Sequence, residues 1–259
     1  MFLPYIGTEF ECPLCGSSFR KFLPNGLDLP VLKEKDIVGA GYRLNTLCPR
    51  CHSSERERLI YLYLRDNTNL FHENLKLLHI APEKSLSRVL TTYRNIDYLS
   101  ADLNSPRAMI KMDITDIKHA DNLFDVIICN HVLEHIPNDR KAMSELYRVL
   151  KPGGWAILQV PISLSLNKTY EDPAITSPEE REKMFGQSDH VRIYAKDYKD
   201  RLEKAGFSIK TYSFTKEFDD STTQKYGLLK EEDLYICSKP APEQKIKKEV
   251  VREALYNVA

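Results

Sequence analysis

Phe124-Asp125-Val126-Ile127-Ile128-Cys129-Asn130-His131 is an apolar run closed by two polar residues. A short continuous apolar stretch of this kind reads as a strand buried on both faces of a sheet. Downstream, residues 139–150 place Ala142, Met143, Leu146, Tyr147 and Leu150 at i, i+3, i+4 spacing, which predicts an amphipathic helix that Pro152-Gly153-Gly154 stops. A strand follows over 155–160. Upstream, Leu75-Lys76-Leu77-Leu78-His79-Ile80 reads as another buried strand, followed by a helix over 84–93 and strands over 98–102 and 108–113. Toward the end, a helix over 196–205 stops at Gly206. Residues 207–214 and 234–238 read as two late strands with little between them, hence an antiparallel pair. Strands alternating with helices predict an α/β fold, a mostly parallel sheet with helices on both faces.

Ligands in such sheets bind at the carboxyl ends of the strands, near the point where strand order reverses. That rule selects Ala81-Pro82-Glu83-Lys84-Ser85 after the first strand, Asp102 and Asp113 after the next two, and Asn130-His131 after the fourth. An acid that ends the second strand can bind the two hydroxyls of a ribose.

The six cysteines divide as four plus two. Cys12-Pro13-Leu14-Cys15-Gly16 and Cys48-Pro49-Arg50-Cys51-His52 are two C-x-x-C pairs. Each offers two thiolates, and together they match a tetrahedral zinc site with Cys12, Cys15, Cys48 and Cys51 as ligands. Four protein ligands leave no open position, so the expected metal is structural. Gly16 supplies the backbone freedom of a tight knuckle, and a hairpin or loop is expected between the pairs. Two redox pairs or disulfides are the alternatives, and no secretory or thioredoxin-like pattern supports either. Cys129 and Cys237 read as buried strand residues. Between the knuckles lies Gly39-Ala40-Gly41-Tyr42-Arg43, and after them Ser53-Ser54-Glu55-Arg56-Glu57-Arg58. These read either as a surface that grips a substrate or, the reading favoured here, as a solvated helix start with Ser53 or Ser54 as N-cap. The helix over 55–66 is apolar nearly all round, which predicts that it packs between the cysteine module and the main domain.

Composition bounds the rest. The chain has 259 residues, 42% hydrophobic and 29% charged, with 37 basic and 37 acidic side chains. A zero formal charge argues against capture of nucleic acid or anionic membrane by bulk charge. No apolar run is long enough to span a bilayer, and Met1-Phe2-Leu3-Pro4 lacks the features of a secretory signal. A cytoplasmic chain is therefore expected. Only ten residues are glycine, roughly 4% where about 7% is usual.

The run Phe124–Ile136 and the turn Leu150-Lys151-Pro152-Gly153-Gly154 resemble the fourth-strand signature and "LKPGG" turn of class I S-adenosylmethionine-dependent methyltransferases of the type 11 kind. The resemblance covers roughly residues 75–238. It implies a seven-stranded, mostly parallel Rossmann-like sheet and S-adenosylmethionine as cofactor. It implies Asp102 with Leu103 at the ribose, Asp113-Ile114 flanking the adenine, and His79, Ala81, Pro82, Glu83, Asn130 and His131 as cofactor neighbours. The four-cysteine head, "LHIAPE" and "FGQSDHVRIY" further resemble a bacterial subgroup of methyltransferases that carries an N-terminal zinc ribbon. One loop departs from the family pattern. The usual acidic-x-G-x-G-x-G after strand one is here His79-Ile80-Ala81-Pro82-Glu83-Lys84-Ser85, so an alanine, a glutamate and a serine replace three glycines. The Glu83 carboxylate can face the ammonium or sulfonium charge of the cofactor. A remodelled site is expected, against the alternative of an inactive one.

Methyl transfer needs an aligned acceptor and sometimes a base. His131 and His135 read either as caps of a short helix or, by the resemblance, as a cofactor neighbour and an acceptor-side residue. The segment 161–195 is long for a crossover and is expected to form a lid. It carries Tyr170 and Glu171, and also His190, Arg192 and Tyr194, which alternate and so share one face when extended. His190 is the first choice of general base, with Tyr170, Glu171, Arg192 and Tyr194 on the substrate side. The alternative is a surface strand with Asp189 paired to Arg192. The domain plan is a zinc module over 1–54, the methyltransferase domain over 55–239 and a helical tail over 240–259. The expected activity is methylation of an O or N atom of a small-molecule or glycan-like acceptor. A macromolecular acceptor presented by the zinc module and a binding protein without catalysis are the alternatives.

Overall fold

A computed structural model describes residues 3–241. The expected helical tail lies, beyond residue 241, outside the described residues.

The central sheet has seven strands. In chain order they are β1 (Leu75–Ile80), β2 (Ile96–Asp102), β3 (Ile110–Lys111), β4 (Phe124–Asn130), β5 (Leu150–Gln159), β6 (Ser208–Tyr212) and β7 (Leu234–Ser238). Their spatial order is β6-β7-β5-β4-β1-β2-β3. The first five run parallel, and β7 is antiparallel to both β5 and β6. The order reverses between β1 and β4, where an α/β sheet opens a crevice at its carboxyl edge.

Period-two alternation along the central strands sorts side chains between two cores. Val126 and Ile128 of β4 join Leu77 and Ile157 on one face, against Leu59, Leu62, Leu86 and Leu90. Ile127 and Cys129 join Leu78, Ile80 and Leu158 on the other, against Met143, Leu146, Tyr198 and Leu202. The first core is closed by helices α1 (Glu55–Asn67) and α2 (Lys84–Leu90), the second by α3 (Asp139–Val149) and α5 (Tyr198–Lys204). Helix α4 (Pro178–Phe185) lies in the long connection after β5.

Local chemistry sets several boundaries. The Asn138 side chain caps α3 by accepting from Lys141 N at 3.1 Å. The Pro-Gly-Gly turn is absorbed into β5 as an irregularity between Leu150 and Trp155. A Cβ on Gly154 would stand 2.8 Å from Asp125 O, so only glycine lets the turn pass β4 this closely. The third strand shrinks to two residues. The late strands do pair antiparallel, but a 3-10 turn at Phe214–Glu217 and a helix at Asp220–Lys225 separate them, contrary to the short link expected. Those elements supply Phe214, which packs with Tyr63 at 5.6 Å between ring centroids. Among the described residues no helix is long and apolar enough to cross a membrane.

The head precedes α1. Two short strands, Phe10–Cys12 and Ser17–Phe19, pair around the first knuckle, and Leu23–Asn25 pairs with Arg43–Leu47 to form the expected hairpin. Head and main body are joined at several places, among them a pairing of Glu11 with Lys225 at 2.7 Å. Ile37–Val38 pairs with Ile162–Ser163 of the long connection. Arg58, fully buried, donates to Ser53 O, Tyr226 O and Gly227 O and lies 4.6 Å from the Phe22 ring centre. The start of α1 is therefore not solvated. Ser54 is its N-cap, in a capping box with Glu57, but Glu55, Glu57 and Arg58 are all buried. The acids there serve contacts with the head and the sheet, which composition alone does not reveal.

Candidate active site

The turn after β1 holds Ala81 at φ 48°, in the left-handed region. This is where the family pattern places its first glycine. A non-glycine residue there carries strain of roughly 1–2 kcal/mol, and such strain persists where the surroundings impose it, often at functional sites. His131, just past β4, is also left-handed at φ 51°. Both strained residues stand at the switch point.

Glu83 turns inward from that loop. Its Oε2 accepts from His79 Nε2 at 2.8 Å, and its Oε1 accepts from Asn130 Nδ2 at 3.1 Å. One carboxylate thus ties the ends of β1 and β4. Burial pushes the Glu83 acid up, but the His79 hydrogen bond and charge outweigh that and hold it below its ordinary value. Glu57 lies nearby on α1 and accepts from Ser85 Oγ. Burial, then the Glu83 charge, raises the Glu57 acid to about 7.

At the end of β2, Asp102 Oδ1 accepts from Asn104 N at 2.7 Å and Ser105 N at 2.6 Å. Both bonds fall on one oxygen, and Oδ2 takes part in neither. Leu103 is exposed and Ile114 buried. Asp113 Oδ1 accepts from Thr115 N at 2.8 Å, which holds its acid below the usual range.

Past the end of β4 lies a cavity of ≈ 500 Å³, lined from the head by Gly39, Gly41 and Arg43, from α1 by Glu55 and Arg56, and from the opposite wall by His131, Glu134, His135 and His190; Ala81, Glu83, Asp102, Asp113 and Asn130 do not line it. Arg43 donates to Ala40 O at 2.5 Å and Gly41 O at 2.6 Å and pairs with Glu55, which folds the glycine loop over the cavity. Arg56 Nη1 lies 3.1 Å from both ring nitrogens of His131. Burial and the Arg56 charge drive the His131 imidazolium well below its ordinary pKa, so the ring is neutral. Burial lowers His190 to about 4 and raises Glu134 to about 8, so both are uncharged at neutral pH. Of the eight buried side-chain polar atoms without a hydrogen-bond partner among the described residues, seven belong to Arg43, Glu55, Arg56, Asn130, Glu134 and Glu232. Buried polar groups are normally satisfied, and five of these eight orphans, on Arg43, Glu55, Arg56 and Glu134, belong to residues that line this cavity, which marks a place for a polar ligand.

The structure brings His131, His135 and His190 to one cavity. It does not bring Tyr170, Glu171, Arg192 and Tyr194 there. Arg192 is buried and donates to Leu133 O at 2.9 Å, Ile136 O at 2.5 Å and Pro137 O at 2.9 Å, and pairs with Glu171 at 2.9 Å. Tyr194 is buried and donates to Asp139 Oδ2 at 2.8 Å. Arg192 and Tyr194 clamp the segment after β4 to the long connection, while Glu171 and Arg192 line a separate cavity of ≈ 600 Å³ and Tyr170 another of ≈ 990 Å³. Asp189, expected to pair with Arg192, lies 3.2 Å from His135 Nδ1. Tyr170 packs on Phe185, 5.6 Å between centroids. Sequence reasoning placed Arg43 and Arg56 in stretches read, in preference to a substrate-gripping surface, as a solvated helix start, and gave Glu134, beside His131 and His135, no role of its own. One signal for the first was available: two of ten glycines fall within Gly39-Ala40-Gly41, in a chain otherwise short of them.

In the head, the four thiol sulfurs lie within 4.8 Å of one another. Cys12–Cys51 and Cys15–Cys48 sulfurs are 3.5 and 3.7 Å apart. Tetrahedral Zn–S bonds of about 2.3 Å put sulfurs about 3.8 Å apart, so the cluster fits one zinc ion. The knuckles share a turn. Gly16 N donates to Cys12 O at 2.8 Å and His52 N to Cys48 O at 2.9 Å, with Gly16 and His52 left-handed at φ 66° and 59°.

The sheet order and the crevice at β1 and β4 are those of the Rossmann-like methyltransferase fold. Residues 82–158 match the family model described as a methyltransferase domain. The crystal structure of the (4+2)-cyclase SpnF superposes with a TM-score of 0.50 at 15% identity, covering 84% of this chain and 100% of that one. Among curated proteins, phosphoethanolamine N-methyltransferase 2 of Caenorhabditis elegans is 26% identical over 144 residues, 50% of this chain and 29% of that protein. The ubiquinone/menaquinone biosynthesis C-methyltransferase UbiE of Brucella canis is 29% identical over 119 residues, 40% of this chain and 43% of that protein. The chain thus spans less than half the length of either relative.

Proposed function

We propose that the chain is an S-adenosylmethionine-dependent methyltransferase acting on an O or N atom of a small-molecule or carbohydrate-like acceptor. The observation that supports this most is the Glu83 carboxylate joining the ends of β1 and β4 through His79 and Asn130, with His131, the next residue after β4, on the wall of a polar cavity of ≈ 500 Å³. Its size suits a small ligand, and both curated relatives carry names of enzymes that methylate small molecules.

The cofactor, when bound, supplies an electrophilic methyl group on a sulfonium. The protein's part is to hold and orient. Asp102 offers its free oxygen to the ribose diol, while Leu103 and Ile114 flank the adenine beside Asp113. The short Ala81 side chain leaves the backbone of the Ala81-Pro82-Glu83 turn approachable. Arg56 Nε and Asn130 Oδ1, both buried without partners, suit the carboxylate and ammonium of an amino-acid tail. Glu83, with His79 behind it, places negative charge on the cofactor side. Across the cavity, His131, His135 and His190 are the candidates to take a proton from the acceptor, and burial keeps the rings of His131 and His190 neutral. The head contributes a structural zinc ion on Cys12, Cys15, Cys48 and Cys51.

Calorimetric titration with S-adenosylmethionine and S-adenosylhomocysteine tests the reading. Dissociation constants in the micromolar to millimolar span of enzyme substrates are expected. No heat of binding at about millimolar ligand overturns it in favour of an inactive binding protein. Labelled methyl transfer into fractionated extracts then identifies the acceptor class. About one equivalent of zinc is expected in the purified chain, and less than about half an equivalent counts against the zinc site.

A further inference from the structure

We propose that Glu134, His135 and His190 form a second metal site, for a divalent first-row transition-metal ion, on the acceptor wall of the cavity. One ligand atom from each lies within 4.8 Å of the other two. At metal–ligand bonds of about 2.1 Å three ligands around one ion stand about 3.0–3.6 Å apart, so closure on a cation draws any pair together by at most about 1–2 Å. The elements that carry the three residues are already fixed to one another. Val191 N donates to Glu134 O at 2.9 Å, and Arg192 ties the following carbonyls to the same strand.

An independent observation points to a ligand here. Glu134 is 1% exposed; its Oε1 lies 3.4 Å from His131 Nδ1, and neither carboxyl oxygen has a hydrogen-bond partner. Leaving a buried acid unsatisfied is costly, and a cation between Glu134 and the two imidazoles supplies the missing partner. His135 also has the outer support common in metal sites, a carboxylate, Asp189, 3.2 Å from its Nδ1. Two imidazoles and one carboxylate favour manganese, iron, cobalt or zinc over magnesium or calcium, which prefer all-oxygen ligands. Three protein ligands leave coordination positions open toward the cavity, unlike the four thiols of the head. The site divides the labour of the three histidines. His135 and His190 hold the cation, and His131 remains the neutral ring free to take a proton. Binding of the cation is independent of the methyltransferase reading. Its use in polarising an acceptor oxygen or nitrogen rests on that reading.

The test is titration of the full-length, zinc-loaded chain with Co²⁺, followed by visible absorption. Cobalt at imidazole and carboxylate ligands shows d–d bands without a thiolate charge-transfer band, which separates this site from the cysteine cluster. One equivalent is expected, with affinity at least about tenfold weaker in Glu134→Gln, His135→Gln and His190→Gln, since even outer-shell changes cost that much. Thermal melting identifies any variant that fails to fold, and the remaining variants then carry the comparison. Absence of a thiolate-free spectrum at about millimolar Co²⁺, or affinities within about threefold of the parent in the folded variants, overturns the site. Cofactor calorimetry is read separately, so failure of one proposal is distinguishable from failure of the other.

Discussion

His79 and Glu83, one at the end of β1 and the other opening α2, are joined by a 2.8 Å hydrogen bond where the family pattern places an acid and a glycine. The acid has in effect moved four residues along the chain, with a histidine behind it. If this carboxylate serves the positive end of the cofactor, Glu83→Gln weakens S-adenosylmethionine about tenfold or more, ~1.4 kcal/mol. S-adenosylhomocysteine, which lacks the sulfonium charge, loses less. Equal losses for both ligands by calorimetry would count against a role toward the sulfonium.

Ala81 gives a backbone test of the same loop. At φ 48°, glycine relieves strain that alanine bears, less the added chain entropy of glycine when unfolded. Ala81→Gly should gain about 0.5–1 kcal/mol, whereas Ala81→Val, branched at Cβ, should lose more than about 1 kcal/mol. Chemical denaturation of both variants checks this, and a less stable glycine variant would refute the strain.

Glu57 supplies a pH signature. Burial and the Glu83 charge raise its acid from 4.5 to about 7. Between those values the folded chain keeps a proton that the unfolded chain has released. Stability therefore falls as pH rises through that window and is level above it. Glu57→Gln keeps the shape and removes the ionisation. The variant should match the parent near pH 4.5 and exceed it by ~1–3 kcal/mol at pH 8. Urea denaturation at the two pH values reads the difference, and an unchanged gap would show that Glu57 does not titrate in this range.

Arg192 predicts a structural loss. It holds three carbonyl oxygens and the Glu171 carboxylate from a buried position. Arg192→Ala should cost about 3–5 kcal/mol, and Arg192→Lys should recover little, because an ammonium does not reproduce the planar fork. Near-parental stability of the lysine variant would contradict this geometry.

The sheet was legible because β1, β4 and β5 are apolar runs with polar ends, and because Ala142, Met143 and Leu146 keep strict helical spacing. The shortness of β3, two residues within the strand expected over 108–113, and the Asp220–Lys225 helix were not, since too few side chains in either carry a period. At the site, strand-end rules picked out Ala81, Glu83, Asp102, Asn130 and His131. Arg43 and Arg56 escaped because a charge buried by tertiary contact reads, in sequence, like one in water. Arg192 and Tyr194 sit away from the His190 cavity for a related reason. They alternate with His190 and turn toward the same Leu133–Asp139 stretch, but only His190 reaches the cavity.

The glycine loop that folds around Arg43 belongs by sequence to the cysteine head and by position to the cavity. On the proposed reading, a head that provides the ceiling of this cavity cannot be exchanged like a cassette between otherwise similar chains. Grafting another head onto this sheet imports a different ceiling, and with it a different choice of acceptor. Diversity in acceptor preference should then follow inheritance of the head more closely than inheritance of the sheet.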